Sequence, residues 1–234
     1  MFAKSAELYD KIYSFKDYAA EAEALVAVIR AKQESGGRRL LDVACGTGRH
    51  IERFKRSFEA EGLDADEALL EIARRRNPEV RFHCTDMLDF DLGTAFDVVT
   101  CLFSSIGYAK TSDDLARAVA AMARHLVPGG VLLIEPWFTP EAWRPDTVHA
   151  IFIDEPELKV ARINTSKVEG RLSYFDFHYV VGTPEQTDHF VERHELGLFE
   201  TSEMLAAMMA AGLAASHQPE GLVGRGLLVG KRPR

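Results

Sequence analysis

The 234 residues of the chain predict an α/β fold with a doubly wound, mostly parallel sheet. Between residues 40 and 137, apolar runs of strand length alternate with amphipathic runs of helix length. The central strand runs are largely apolar, as expected where helices cover both faces of a sheet. The first of them, LLDVAC, leads into a glycine turn, GTG, which is typical of the connection after the first strand of such sheets.

The individual elements follow from local patterns. Residues 18–32 carry apolar side chains at helical spacing, and SGGRR ends that helix. The same patterns then predict strands in LLDVAC, AEGLDAD, VRFHCTDM, FDVVTCLFSS and VLLIEPW, and helices in RHIERFKRSF, EALLEIARRRN and residues 113–125. Right-handed crossovers through these helices make the strands parallel.

Beyond Pro136 the pattern changes to the alternation typical of antiparallel strands. It predicts strands in LKVARINTSKVEG, RLSYFDFHYVVG and HFVERHELGLF, then a helix in SEMLAAMMAAG and a last strand in RGLLVGKR. We therefore divide the chain into an α/β domain with an N-terminal helical segment, residues 1–138 and 196–234, and a β-rich insertion, residues 139–195. We expect the insertion to form a lid over the mouth of the sheet.

The composition argues against several classes of partner. With a formal net charge of −8, the chain is not expected to present a broad basic face to nucleic acid. No apolar run approaches the roughly 20 residues of a membrane span, and the first residues lack a signal-peptide core. Cys45, Cys84 and Cys101 show neither paired nor metal-binding spacing, which favours buried thiols in a reducing cytosol. We thus expect a cytoplasmic protein without a metal, nucleic-acid or membrane partner.

Three kinds of ligand compete for the glycine turn. A phosphate loop needs Lys-Ser or Lys-Thr after its last glycine, whereas Gly48 is followed by Arg49 and His50. A dinucleotide fingerprint matches only by half, because its third glycine position is occupied by Ile51. A dinucleotide is thus disfavoured but stays open, and the third candidate is a nucleoside.

Acidic residues at successive strand ends favour this nucleoside. Asp42 lies at the start of the turn, Asp64 lies where an acid can bind both ribose hydroxyls, and Asp86-Met87 offers a carboxylate and an apolar side chain to adenine. Taken singly, each has a structural alternative: Asp42 as a strand-end cap, Asp64 as a helix cap, and Met87 as a core residue. Their order and register after the glycine turn favour the ligand site.

Residues 40–137 resemble the class I methyltransferases that use S-adenosylmethionine (SAM) and have a Rossmann-like fold. The motifs that carry the resemblance are LLDVACGTG, GLD, TDM and HLVPGGVLLIEPW. A narrower resemblance covers nearly the whole chain: ELYDKIY, KDYAAEA, ARRRNP, FSSIGY, EPWF, the HY of residues 178 and 179, and GRGL are similar to the N,N-dimethyltransferases of nucleotide-linked amino sugars in deoxysugar antibiotic pathways. The chain departs from that family at Phe138, where a second tryptophan is usual, and in GLVGRGL, where GPSGRGL is usual.

The resemblance implies SAM as cofactor and the amino group of a nucleotide-linked deoxyamino sugar as methyl acceptor. The predicted cofactor-binding residues are Tyr13, Tyr18, Asp42, Ala44, Cys45, Gly46, Gly48, Asp64, Ala65, Asp86, Met87, Leu102 and Phe103. The predicted catalytic residues are Tyr108, Glu135 and His178, and the predicted substrate-binding residues are Trp137, Arg162, His194 and Arg225. Each of these has a structural alternative, such as packing for Tyr108 or a paired, buried acid for Glu135.

Other functions stay open on the sequence alone. They are methylation of oxygen or carbon in another small molecule, SAM binding without catalysis, and an NAD-dependent dehydrogenase. A homodimer is compatible with an enzyme of this kind, although no motif requires it.

Overall fold

The computed structural model describes residues 5–222 and 224–234. Its helices are α1 Tyr9–Ile12, α2 Tyr18–Lys32, α3 Arg49–Phe54, α4 Glu67–Arg76, α5 Ser112–Arg124 and α6 Thr201–Ala210, with 3-10 turns at Ala6–Leu8 and Ser105–Ala109. Its strands are β1 Arg39–Val43, β2 Glu59–Asp64, β3 Arg81–Cys84, β4 Phe96–Cys101, β5 Leu126–Ile134, β6 Val148–Glu155, β7 Leu158–Thr165, β8 Lys167–Glu169, β9 Leu172–Gly182, β10 Thr187–Gly197, β11 Ala214–Gln218 and β12 Leu227–Lys231. Val223, which belongs to the GLVGRGL departure, lies outside the described residues, as do residues 1–4.

Seven strands form the main sheet in the order β11-β12-β5-β4-β1-β2-β3. Strands β1 to β5 run parallel, whereas β12 is antiparallel to β5 and β11 is antiparallel to β12. Strand order reverses between β1 and β4, and ligands of such sheets bind outside the carboxyl ends of the strands at that point. The predicted doubly wound, mostly parallel sheet is confirmed.

The core explains why the central parallel strands β1, β4 and β5 are largely apolar. Leu40 and Leu41 are neighbours in β1, and both have no exposed surface. Because successive side chains of a strand point to opposite faces, Leu40 packs with α2 and α3, whereas Leu41 packs with α5 and α6. Helices therefore bury both faces of the central strands, so most side chains of these strands are apolar.

A second, antiparallel sheet has the strand order β10-β9-β7-β6, with β8 paired to β9. One face is buried: Phe175, Phe177 and Tyr179 of β9 point inward, whereas His178 and Val180 are exposed on the outer face. The buried face packs against α1 and against residues that follow β5, including Trp137 and Trp143. This single layer of strands covers the mouth of the main sheet.

Two strands were not predicted, and one predicted strand is divided. The run LKVARINTSKVEG forms β7 and β8 with a break at Ser166, and β6 precedes it as a further strand of the second sheet. The edge strand β11 has the sequence AASHQ, which contains no β-branched or aromatic residue to signal a strand. Its pairing with β12 therefore decides its conformation.

The described part of the chain contains no helix that is long and apolar enough to cross a membrane. Within the same residues, no group of three or more His, Cys, Asp or Glu side chains is placed to hold a metal ion. The three cysteines are free. Cys101 is buried as predicted, whereas Cys45 is half-buried and Cys84 is exposed, so the prediction that all three are buried is wrong. Cys84 ends the short edge strand β3, so one side of it is open to solvent.

Candidate active site

A cleft of about 1350 Å³ lies between the carboxyl ends of the parallel strands and the buried face of the second sheet. The glycine turn and Asp64 line one wall, and Arg162 and His194 line the wall that faces it. Residues more than 100 positions apart in the sequence thus meet across a single space, which is large enough for a cofactor and an acceptor together.

The glycine turn adopts a backbone that only glycine accommodates easily. Gly46 and Gly48 have φ angles of 55° and 72°, in the left-handed region. A side chain at Gly48 would approach Asn77 Nδ2 to 2.9 Å, whereas the equivalent position at Gly46 has no atom within 4 Å. Gly46 therefore leaves its backbone open to a ligand, and Gly48 allows α3 to begin close to α4.

Asp64 connects the glycine turn to the next helix. One carboxylate oxygen accepts a hydrogen bond from the Gly46 amide at 2.8 Å, and the other accepts from the Asp66 amide at 2.9 Å. Burial raises the pKa of Asp64 above its ordinary value. Asp66, not Asp64, caps α4, because its side chain accepts from the Ala68 amide. The carboxylate of Asp64 is thus left facing the cleft.

Asp42 has a different position from the one predicted. It is buried beneath the turn, where the Thr100 hydroxyl donates to its carboxylate at 2.7 Å, and burial raises its pKa to about 6. The Thr100 bond joins β1 to β4 and does not point into the cleft. Four other predicted cofactor residues also lie behind the lining: Tyr18, Cys45, Gly48 and Leu102. We assign these five residues to shaping the cleft from behind.

The remaining predicted cofactor residues line the cleft: Tyr13, Ala44, Gly46, Asp64, Ala65, Asp86, Met87 and Phe103. Asp86 accepts a hydrogen bond from the Leu88 amide at 2.9 Å, and this turn places Met87 against the wall. Three residues that were not predicted also line this space: Glu21, Phe177 and Trp143. The sequence did not indicate Phe177 or Trp143 as site residues, because an aromatic side chain in a strand or loop is usually part of the hydrophobic core.

The N-terminal segment crosses the cleft and contacts both walls. Asp10 accepts a hydrogen bond from the Thr47 hydroxyl at 2.7 Å and forms an ion pair with Arg76. Farther along, the Tyr13 hydroxyl accepts from Arg162 Nη1 at 3.0 Å. The segment therefore links the glycine turn to the second sheet.

Buried charges flank the start of α2. The Lys16 ammonium lies 4.5 Å from the centre of the Phe103 ring and is paired with Glu21. Glu21 also contacts His50 Nε2 at 2.9 Å, and these bonds lower the pKa of Glu21 in spite of its burial. The glycine turn thus rests on a charged network instead of on apolar packing alone.

On the facing wall, Tyr108 and His194 form a pair. The Tyr108 hydroxyl lies 2.8 Å from Nδ1 of His194. Burial raises the pKa of Tyr108, whereas burial and the positive charge of Arg162 lower the pKa of His194 to about 4. Both side chains are therefore neutral near pH 7.

Glu135 does not face the cleft as a catalytic acid would. It has no exposed surface, and its two oxygens accept from Arg225 Nη2 at 3.1 Å and from the Phe103 amide at 2.7 Å. Phe103 and Ser104 have φ angles of 52° and 62°, which non-glycine residues rarely adopt. Glu135 therefore braces this strained turn and neutralises Arg225, which corrects its predicted catalytic role.

His178 also has to be corrected. Residues alternate between the two faces of β9, and Phe177 and Tyr179 take the buried face. His178 is exposed on the outer face, where its ring stacks on that of His189 at 5.8 Å between centroids. It does not reach the cleft, so the predicted catalytic role of His178 is wrong.

The predicted substrate-binding residues all line the cleft: Trp137, Arg162, His194 and Arg225. The Trp137 indole donates to the Ser173 hydroxyl at 2.9 Å, which fixes its plane. The Arg162 guanidinium lies 4.2 Å from the centre of the Phe177 ring, and its Nε is buried without a hydrogen-bond partner among the described residues. Arg162 is thus a buried cation that faces a ligand site, and it is not solvated on the outer face of the second sheet.

Residues 40–130 match the model of the methyltransferase domain family. The chain is 43% identical, over 97% of its length and 92% of the relative's, to dTDP-4-amino-2,3,4,6-tetradeoxy-D-glucose N,N-dimethyltransferase of Saccharopolyspora spinosa. It is 42% identical to dTDP-3-amino-3,4,6-trideoxy-alpha-D-glucopyranose N,N-dimethyltransferase of Streptomyces venezuelae, over 96% of both chains.

Solved structures agree with these relatives. The crystal structure of Streptomyces venezuelae DesVI is similar with a TM-score of 0.92 and 41% identity over 99% of both chains. SAM-bound CalS10, an amino pentose methyltransferase from Micromonospora echinaspora, is similar with a TM-score of 0.86 and 39% identity over 96% of both chains. The chain therefore belongs to the family of SAM-dependent methyltransferases that contains the N,N-dimethyltransferases of dTDP-linked amino sugars.

Proposed function

We propose that this enzyme transfers methyl from SAM to the amino group of a nucleotide-linked deoxyamino sugar. One observation carries the proposal: the wall that faces the glycine turn holds the Tyr108 hydroxyl, which suits an amine, and the Arg162 guanidinium, which suits phosphate oxygens. The relatives named above support it, because their names specify dTDP-linked amino sugars as substrates.

The cofactor wall fits SAM. The open backbone at Gly46 lets a ligand approach closely, the Asp64 carboxylate would accept from ribose hydroxyls, and Asp86 with Met87 would hold adenine. When bound, SAM supplies a methyl group on a sulfonium, which makes that carbon electrophilic.

The protein's own contribution is mainly alignment. A deprotonated amine is already a nucleophile, so the enzyme has to orient it and exclude water. Rings of Trp137, Phe138 and Phe177 line the facing wall and make the surroundings of Tyr108 largely apolar. Neither Glu135 nor His178 is placed to take a proton, so the amine enters deprotonated.

Arg162 is the better of the two candidates for a phosphate contact. Among the described residues it forms no ion pair, whereas Glu135 already neutralises Arg225. Its planar guanidinium is held by stacking on Phe177 and by the bond to Tyr13, and a fixed guanidinium binds phosphate oxygens through two parallel hydrogen bonds. Arg225 then serves to shape the wall, with Phe138 packed 5.7 Å from its guanidinium.

Incubation with SAM and a panel of dTDP-linked amino sugars tests the proposed function. We expect mass spectrometry to detect one or two added methyl groups on at least one sugar, and the count decides between mono- and dimethylation. The free amino sugars without the nucleotide serve as controls, and we expect them to react far more slowly because Arg162 has no phosphate to hold. Methylation of no sugar in the panel would contradict the proposal.

We also propose a role for the insertion and a cellular location for the enzyme. Residues 139–195 act as a lid, because the second sheet supplies Arg162, Phe177 and His194 to the cleft. The free thiols fit a reducing compartment, and we propose the cytoplasm.

We further propose that two copies of the chain associate through the outer face of the second sheet. Large apolar side chains are exposed there on neighbouring strands: Val148, Phe152, Ile163, Val180 and Val191. The charged neighbours Asp176 and Arg193 already pair within the chain, at 2.7 Å. Two such faces can meet about a twofold axis without burying an unpaired charge at this position.

Replacing Phe152, which is 70% exposed, by glutamate tests the dimer. We expect light scattering after gel filtration to give a dimer for the wild type and a monomer for Phe152→Glu, with SAM binding retained. A matched change at an exposed site of the main sheet domain, Met209→Glu, should leave the dimer intact. A wild-type monomer would contradict this proposal.

A further inference from the structure

The hydrogen bond between Tyr108 and His194 has a direction that follows from acid–base chemistry. A phenol, with an ordinary pKa near 10, is a far stronger acid than the N–H of neutral imidazole, and the unprotonated imidazole nitrogen is the stronger acceptor. His194 is buried and neutral, and its Nδ1 lies 2.8 Å from the phenol oxygen. The Tyr108 hydroxyl is therefore the donor of this hydrogen bond, and Nδ1 of His194 is the acceptor.

We propose that His194 is a positioning residue that turns the Tyr108 hydroxyl into a hydrogen-bond acceptor for the substrate amine. This inference rests on the proposed function, since it concerns the amine that faces SAM. Because the O–H of Tyr108 points to His194, its oxygen offers only lone pairs to the cleft. These lone pairs accept a hydrogen bond from an N–H of the amine. The lone pair of the amine nitrogen is then left available for the methyl group.

The opposite direction would inhibit the reaction. If His194 donated from Nδ1, Tyr108 would donate its own proton into the cleft, and the strongest acceptor there would be the lone pair of the amine. A hydrogen bond to that lone pair would have to break before the nitrogen could attack. The tautomer of His194 thus decides whether Tyr108 assists or blocks the nucleophile.

The pair aligns the amine but does not keep its proton. In the transfer, the amine nitrogen gives its lone pair to the new N–C bond, and the donor sulfur keeps the electrons of the broken S–C bond. The excess proton of the product passes to solvent, because a histidine with a pKa near 4 does not hold it near pH 7. A general-base role for His194 is therefore not part of this proposal.

Packing keeps the imidazole in place. The Phe175 ring stacks on it at 5.9 Å between centroids, and the Phe177 ring lies at 4.9 Å. His194 itself is only 1% exposed. These contacts keep Nδ1 of His194 directed at the Tyr108 hydroxyl, so the second sheet fixes which ring nitrogen takes part in the hydrogen bond.

Nitrogen-15 NMR of histidine-labelled enzyme tests the direction without turnover. We expect Nδ1 of His194 to resonate as an unprotonated, pyridine-type nitrogen, with the signal assigned by its loss in His194→Gln. In Tyr108→Phe the signal should shift, because the donated proton is gone. A protonated Nδ1 in the wild type would overturn the proposal.

Kinetics of the same variants provide the second readout. Tyr108→Phe and His194→Phe should each lower kcat on the order of 10- to 100-fold while the Kd of SAM stays unchanged, and the double variant should lose no more than either alone. His194→Gln, whose amide oxygen can accept from Tyr108, should recover part of the loss, and Tyr174→Phe on the outer face is the matched control. If the fold losses in kcat multiply in the double variant, the inference is overturned. A wild type that methylates none of the amino sugars would contradict only the proposed function, because the NMR signal still reports the direction of the hydrogen bond.

Discussion

Replacing Asp64 by alanine is expected to weaken SAM binding by about 2–4 kcal/mol, roughly 30- to 1,000-fold in Kd. The change removes the predicted ribose contact and also leaves the Gly46 and Asp66 amides without their acceptor. The glycine turn therefore loses order at the same time as the ligand loses a partner. Titration calorimetry of the variant with SAM measures the effect.

Two further variants separate these contributions. Asp64→Asn keeps one carbonyl oxygen, so its affinity for SAM should lie between that of the wild type and that of Asp64→Ala. Asp176→Ala removes an aspartate that pairs with Arg193 on the outer face of the second sheet, outside the cleft, and its affinity for SAM should be unchanged. An Asp64→Ala enzyme that binds SAM as the wild type does would show that the ribose contact lies elsewhere.

Replacing Glu135 by alanine is expected to lower the free energy of unfolding by about 3–5 kcal/mol, because it leaves the Arg225 cation half-buried and unpaired. The Phe103 amide loses its acceptor as well, and the strained turn at Phe103 and Ser104 loses its brace. Urea unfolding followed by circular dichroism measures the loss.

The companion variants test whether the unpaired charge is the cause of the lower stability. Glu135→Gln keeps an acceptor for the Phe103 amide, so its free energy of unfolding should fall less than that of Glu135→Ala. Adding Arg225→Ala to Glu135→Ala should restore part of the lost stability. Asp176→Ala breaks the exposed pair with Arg193 and should cost less than about 1 kcal/mol. Equal losses in Glu135→Ala and Asp176→Ala would contradict the role assigned to Glu135.

The parallel sheet could be predicted because burial on both faces leaves a continuous signal. Leu40 and Leu41 are both apolar for that reason, and the glycine turn follows where the strand ends. The edge strand β11 gave no such signal, since its partner strand and not its composition determines its conformation. Local patterns thus predict an element only where its own side chains decide the conformation.

The site could be predicted in part for the same reason. Asp64 and Met87 were found because the ends of parallel strands converge, which depends only on strand order. The Tyr108–His194 pair joins residues 86 positions apart and depends on how the second sheet sits on the first. The alternation along β9 places His178 and Phe177 on opposite faces of the sheet, but it does not show which face is buried. The catalytic role predicted for His178 was wrong for this reason.

The alternation along β9 and β10 also limits how this sheet can change during evolution. The two strands pair residue for residue from Thr187 opposite Gly182 to Gly197 opposite Leu172. Deleting one residue within β9 would shift every side chain beyond it to the opposite face. Phe177 would then be exposed to solvent and His178 buried, so a single deletion would damage the cleft and the outer face together. Changes of length in this sheet should therefore be tolerated only in the hairpin loop at residues 183–186.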